Sequence, residues 1–418
     1  HSLRRRQRQM CIRDSLESLA FERFAGTEGE KLAAEKIADY LKDFGLAVTV
    51  EEFEITTYKI REAKIMADDK EIECSGVGLS KDTGDEGIEG ELVFTEDYSM
   101  KFLKNAKDKI VVYYGKFDLE TFKKLLKLGV KGVIRVETNP TREPSRTDLI
   151  VTWQKYGNLP MVRVRYEDAL YLYRTKPRKV KIILKQDIIK SKSQNVIGIL
   201  EGTEYKDEVI LIGAHYDSER ETIGACDNLG GTALLLELAK IFSKENVKRT
   251  LNFVFFGAEE LGLVGSRNYV EKHKDELERI KLMVNLDVHG QAIGTFSCII
   301  TGSDEIKHYV EFLSKELGIH INTSSDIMSS DSVTFASKGI PSVSFFRGGG
   351  SGYFIHTPLD SLEYIAPTAL ENMGIIVETF IRRVANSEEF PFKREIPEQI
   401  KKKVREYFEK RIGIKLSD

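Results

Sequence analysis

Val209-Ile-Leu-Ile-Gly-Ala-His215-Tyr-Asp217-Ser218, followed after a short polar loop by Gly224-Ala-Cys-Asp227-Asn-Leu-Gly-Gly-Thr-Ala-Leu-Leu-Leu-Glu-Leu-Ala-Lys240, is the stretch around which the chain is organised. A β-branched apolar run stops at a histidine, and an apolar-periodic segment opens after paired glycines. The run fits a strand buried on both faces and the periodic segment a helix, the repeating pair of a doubly wound sheet. Such sheets carry their chemistry just beyond the carboxyl ends of their strands, where His215, Asp217 and Asp227 fall.

Working outward, two more apolar runs end in acids. Asn252-Phe-Val-Phe-Phe-Gly-Ala leads to Glu259-Glu260, and Leu282-Met-Val-Asn-Leu leads to Asp287. A glycine-rich stretch, Gly348-Gly-Gly-Ser-Gly-Tyr-Phe-Ile-His356-Thr-Pro-Leu-Asp360, supplies a second histidine. Taken singly, each has an ordinary reading: a satisfied core histidine, a helix-capping acid pair, a solvated loop. Together, on successive strand ends of one sheet, they would place several charges where an unpaired charge is costly to bury. A shared cation is the economical explanation.

The flanking segments bound the rest. Thr27 and Glu30 have capping-box spacing ahead of a helix with Leu32, Ala33, Ile37, Tyr40 and Leu41 on its apolar stripe, and Ala47 to Ile55 alternates like a strand. From about Lys59 to Gln194 short apolar runs alternate with turn signals: Glu91-Leu-Val-Phe94, Lys109 to Tyr114, Lys131 to Val136 and Met161 to Val164. A helical stripe of Leu119, Phe122, Leu125 and Leu126 lies between two of them, so a small β-rich domain with one βαβ unit is expected. The tail repeats apolar residues at Ile396, Ile400, Val404, Phe408 and Ile412, the pattern of an amphipathic helix docked on the protein or, second, used in a dimer.

Composition closes off other classes. At 418 residues, 41% apolar and 31% charged, the chain can build a large core with a solvated surface. A net charge of -3 gives no reason to expect nucleic acid or an anionic membrane as partner, and the basic run Lys176 to Lys181 reads as a solvated edge. No run reaches the ~20 apolar residues that span a bilayer. Cys11, Cys74, Cys226 and Cys298 lack paired spacing, which leans towards a reducing compartment, so a cytoplasmic location is favoured over export. Residues 1–15 carry five arginines without periodicity and resemble translated adapter read-through. The native start is therefore expected to be missing, and a signal peptide stays open.

His215-Tyr-Asp217, Gly224-Ala-Cys-Asp227-Asn, Gly257-Ala-Glu259-Glu260-Leu-Gly, Asn285-Leu-Asp287 and His356-Thr-Pro-Leu-Asp360 resemble the ordered motif set of the M28 family of dizinc aminopeptidases. The resemblance implies an α/β zinc-exopeptidase fold: a three-layer αβα sandwich on a mostly parallel mixed sheet, over residues 16–60 and 195–390. Residues 61–194 resemble an inserted protease-associated (PA) domain, and residues 391–418 form the C-terminal helix. By the same resemblance Asp227 bridges two Zn²⁺ ions, His215 and Asp287 hold one, and Glu260 and His356 hold the other. Co²⁺ or Mn²⁺ is compatible with these oxygen and nitrogen donors.

Glu259 matches the general base acting on a zinc-bound hydroxide. Asp217 is the residue that orients His215, and Asp360 the one that orients His356. The implied substrates are peptides with a free N-terminus, and a homo-oligomer through the tail helix is a further expectation. The sequence departs from some relatives in having Ile355, not tyrosine, before the last histidine; Tyr353 is the nearest substitute. Cys226 reads as a small buried filler and His289 as a supporting residue. His273, His308 and His320 read as surface residues, and Ser330-Asp331-Ser332 receives no role. Rival readings are a glutaminyl cyclase with a single zinc, a glutamate-releasing carboxypeptidase, for which Arg347 is the available basic residue, and a receptor-like relative without activity.

Overall fold

The computed structural model describes residues 2–96 and 100–416, with side chains in those ranges except at residues 2–8, 100, 102, 351 and 353. The chain divides into two compact units, one of residues 1–55 and 192–405 and one of residues 56–191 and 406–418.

In the first unit the sheet runs in the order Asn322–Ser325, Thr295–Thr301, Ser342–Gly348, Ile280–Leu286, Tyr205–His215, Arg249–Phe256, then the ends of Val180–Leu200 and Ala47–Ala67 that lie in this unit. Its centre is parallel: Tyr205–His215 lies between Arg249–Phe256 and Ile280–Leu286, and Ser342–Gly348 continues beside the latter. Antiparallel pairs flank that centre, Thr295–Thr301 with Ser342–Gly348 and Val196–Leu200 with Arg249–Phe256. The sheet is therefore mixed, and it is covered on both faces. Ile210 and Ile212 join the core under helices Glu28–Asp43, Gly230–Phe242, Asp304–Leu317 and Pro367–Asn386. Val209 and Leu211 face the opposite core, where Tyr269, Val270 and Phe335 pack. Alternation along one strand thus feeds two helical layers, and the αβα sandwich follows.

Helix Glu28–Asp43 starts where the capping box predicts: the Thr27 side chain accepts from Glu30 N, and Glu30 returns to Gly26 N at 2.6 Å. One expected stripe residue, Leu32, is exposed, while Ala33, Ile37 and Leu41 are buried. Residues 2–15, within the stretch that resembles adapter read-through, lie in helix Ser2–Ser18, whose Ile12 and Leu16 are buried in the first core.

The second unit contains a sheet ordered Ser75–Gly76, Met161–Val164, Gly132–Val136, Ile110–Tyr114, Leu92–Glu96. All but the first of these strands run parallel. Helix Leu119–Leu128 makes the crossover, capped by Asp118 and ended by Gly129 in the left-handed region. The chain's last turn, Phe408–Ile412, lies in this unit, with Trp153 Nε1 donating to Arg411 O at 2.9 Å and Lys155 Nζ to Gly413 O at 2.6 Å. Ile396, Ile400, Val404, Phe408 and Ile412 are all buried. The apolar stripe of the tail is consumed within the chain, so an oligomer built on it is not supported.

Candidate metal centre

Every residue singled out as a ligand lies past the carboxyl end of a parallel strand. His215 is the last residue of Tyr205–His215, and Asp287 follows Ile280–Leu286 directly. Glu259 and Glu260 come after the turn that ends Arg249–Phe256, and His356 lies beyond Ser342–Gly348. Asp227 arrives from the loop before helix Gly230–Phe242. That loop needs Gly224: its φ is +56°, and a Cβ there would stand 2.4 Å from Asp227 O.

The side chains converge on Asp227. His215 Nε2 lies 3.0 Å from Asp227 Oδ1 and 3.2 Å from Asp287 Oδ1. On the other side, His356 Nε2 lies 2.8 Å from Asp227 Oδ2 and 3.4 Å from Glu260 Oε2. His215, Asp227 and Asp287 form one cluster able to hold an ion, Asp227, Glu260 and His356 a second, and His215, Glu259 and Glu260 a third grouping.

The support beneath these groups differs from the simple pairing expected. Asp217 Oδ1 faces His215 Nδ1 at 3.4 Å, but it also accepts Glu259 N at 3.0 Å while Oδ2 accepts Glu260 N at 3.1 Å. One carboxylate therefore ties the histidine strand to the glutamate turn. Asp360 does not hydrogen-bond His356 among the described residues. Its oxygens accept the N–H groups of Cys226 at 2.8 Å and Asp227 at 3.1 Å. The turn that brings Asp360 N to Thr357 O aims the carboxylate at the backbone of Asp227, not at the imidazole.

Electrostatics reflect a surplus of buried negative charge. Burial first, then Asp227, Glu219 and Glu259, pushes the Glu260 carboxyl well above the usual carboxylate range. Burial does the same for Glu259, with Asp331, Asp287 and Asp217 adding and His215 opposing. Burial works to lower His215, yet Asp287, Glu259, Asp217 and Asp227 together hold it well above an ordinary imidazole. Burial also works against ionisation of Asp227, but its bonds to His215 and His356 bring it below the normal value. Among the described residues, Glu260 Oε1 is buried without a hydrogen-bond partner.

Divalent cations fit these observations. Four donors around zinc at ~2.0–2.1 Å stand roughly 3.3 Å apart. The separations of 3.0 and 3.2 Å in one triad and 2.8 and 3.4 Å in the other bracket that value.

The profile of peptidase family M28 matches residues 195–381. Aminopeptidase YwaD of Bacillus subtilis is 29% identical over 402 residues, covering 93% of this chain and 86% of its own. Over residues 195–381 this chain is similar to peptidase family M28. Carboxypeptidase Q of Xenopus laevis is a further relative, 28% identical over 69% of this chain and 65% of its own length. Among solved structures, BSAP, a zinc aminopeptidase from Bacillus subtilis, matches with a TM-score of 0.76 at 27% identity, covering 95% of this chain and 98% of its own.

Two groups to which the sequence reading gave no chemical role are also buried in this unit. Asp331 is fully buried, and burial raises its pKa to about 7. Its loop is clamped by Asn285 Nδ2 to Ser330 Oγ at 2.9 Å and Ser344 Oγ to Ser332 Oγ at 2.9 Å. A Ser-Asp-Ser run reads locally as an ordinary turn, so it receives no role from the sequence alone. His289 is buried, and burial lowers its pKa to about 4. His308 and His320 are exposed, whereas His273 is half-buried and bonded to Glu51 at 3.1 Å, a correction to its reading as a surface residue. Cys226 is buried, Ile355 is half-buried, and the side chain of Tyr353 lies outside the described residues.

Proposed function

We propose that this chain is a zinc-dependent aminopeptidase that removes the N-terminal residue of peptides at a centre of two zinc ions. The observation that carries the reading is Asp227, whose Oδ1 lies 3.0 Å from His215 and whose Oδ2 lies 2.8 Å from His356. One carboxylate facing two imidazole-acid pairs is the arrangement a bridging ligand requires. Asp287 would complete the first set with His215, and Glu260 the second with His356. Bound there, the ions would supply Lewis-acid activation of water and of the scissile carbonyl.

The chain's own residues do the rest. Glu259, next to a ligand but free of the two principal triads, takes a proton from the attacking water and returns it to the leaving amine. Asp217 fixes the backbone of Glu259 and Glu260, so the base and its neighbouring ligand move as one piece. The acidic surroundings attract a protonated amino terminus, which favours exopeptidase cleavage at that end. A carboxypeptidase would need a cation free to meet the substrate's carboxylate. Arg347, the residue considered for that task, is 9% exposed, donates to Gln291 O at 2.6 Å and stacks on Phe296.

The test is metal content per chain, with hydrolysis of leucine p-nitroanilide, a glutamine-initiated peptide and an N-acetylated peptide before and after chelation. The reading expects two zinc ions and activity on free N-termini that chelation abolishes and zinc restores. One ion with cyclisation of the glutamine peptide, or release of C-terminal residues from the acetylated peptide, would replace it with a rival.

A further inference from the structure

The chemistry above uses acids and imidazoles and gives no task to Arg23, a buried cation among them. Arg23 is completely buried, and its guanidinium is surrounded by backbone carbonyls. Nε donates to Tyr216 O at 2.5 Å, the residue between His215 and Asp217. Nη1 faces Ile223 O at 2.8 Å, and Nη2 faces Gly224 O at 3.4 Å, on the approach to Asp227. Leu19 O and Phe21 O, at 3.0 and 2.8 Å from Nη1, hold the arginine's own end of the chain. The main chain adds a reciprocal pair: Arg23 N donates to Ser218 Oγ at 3.0 Å, and Ser218 N donates to Arg23 O at 3.2 Å.

We propose that Arg23 is a positioning residue of the metal centre: its planar fork locks the His215–Asp217 segment to the Gly224–Asp227 loop and so sets the spacing of two ligands that enter from different elements. The inference rests on the metal centre proposed above. A buried arginine that merely satisfies loop carbonyls is the ordinary alternative. Two features favour the stronger role. The acceptors lie on both ligand-bearing segments, which a single bidentate contact would not need. The charge also stands among Asp217, Asp360, Asp227 and Glu260, where a cation by itself opposes metal binding. A purely electrostatic role therefore predicts that losing the charge tightens zinc. A bracing role predicts that losing the fork weakens it even when the charge stays, because a lysine ammonium cannot span the same carbonyls.

Arg23→Lys and Arg23→Gln separate these cases. Zinc affinity is measured by chelator competition, and thermal unfolding is followed by circular dichroism with and without zinc. Both variants are expected to bind zinc about 10–100-fold more weakly than the wild type, with a smaller zinc-induced rise in Tm. Wild-type affinity in Arg23→Lys, or tighter binding in Arg23→Gln, overturns the proposal. Failure of both variants to fold even in excess zinc also overturns it, since Arg23 would then serve the fold and not the centre. A wild type that retains no zinc sinks the metal centre itself, and Arg23's role with it.

Discussion

Asp217→Asn is the substitution whose consequence the geometry defines best. The two side chains are nearly isosteric, so no cavity opens, but one acceptor becomes a donor. Asp217 Oδ1 and Oδ2 accept Glu259 N and Glu260 N at 3.0 and 3.1 Å, and the residue is fully buried. Whichever way the amide turns, one of those N–H groups meets an NH₂ and loses its bond. A charge-assisted hydrogen bond is worth roughly 1.5–3 kcal/mol. It exists with or without metal, so its loss should appear as that much destabilisation of the metal-free protein, read from urea unfolding. Metal binding reports a different consequence. The glutamate turn is freed at one point, and His215 loses the anion at its Nδ1. Loss of a ligand's supporting partner costs about 10–100-fold in metal affinity or activity. Chelator competition and kcat/KM on leucine p-nitroanilide should both fall within that range. An Asp217→Asn protein with the wild type's unfolding midpoint and zinc affinity would refute the account of how this carboxylate holds the centre.

Other expectations follow from neighbouring groups. Glu259→Gln should keep its zinc, measured by elemental analysis, while kcat drops by roughly 10²–10⁴, because only the proton-transfer group is lost. Full activity in that variant would remove Glu259 from the chemistry. His273 and Glu51 form a pH-sensitive tie, away from the site. The bond to Glu51 raises the His273 pKa above its unfolded ~6.5, so this group's stabilisation is complete below that pH and fades as pH rises through the folded value. Burial opposes ionisation of Glu51, but bonds to His273 and Lys272 bring its pKa below normal, so its share is present above ~4.3 and fades as pH falls through the folded value. His273→Gln should therefore lower Tm near pH 5–6 more than near pH 9, and an equal loss at both would count against the ion pair.

How much of this the sequence disclosed depended on distance along the chain. The strands ending at His215, Phe256 and Leu286 were legible because each is an apolar run bounded by turn residues or charge, and burial on both faces leaves that mark. The candidate ligands could be singled out only as a motif set, since no local rule joins His215 to His356 across 141 positions. Asp360 shows where local spacing misleads. Four residues from His356 it suggested support for that imidazole, but the intervening turn carries its oxygens to Cys226 and Asp227. His273 looked solvated because its partner Glu51 is 222 positions away. Arg23 gave no sign at all, since an arginine ahead of a capping box is indistinguishable from surface charge until the carbonyls around it are known.

The backbone at the strand ends explains why the ligands need so much support. Ala258, Val288 and His356 have φ values of +53°, +60° and +61°, a region that costs a non-glycine residue about 1–3 kcal/mol and is a genuine outlier for a β-branched valine. Ala258 precedes Glu259 and Val288 follows Asp287, each within two residues of a strand end, and His356 is itself a candidate ligand, in the turn after Gly350–Phe354. Glycine would relax all three turns but loosen the side chains they aim. The surrounding bonds hold them instead: Asp217 grips the turn after Ala258, Arg347 N donates to Val288 O at 2.9 Å, and Thr357 N donates to Phe354 O at 3.1 Å beside His356. Strain next to three of the candidate metal-facing groups, opposed at two of them by a bond from a distant part of the chain and at His356 by its own turn, is what a site built to fix donors before an ion arrives should show. A cluster serving only the fold would gain nothing from it.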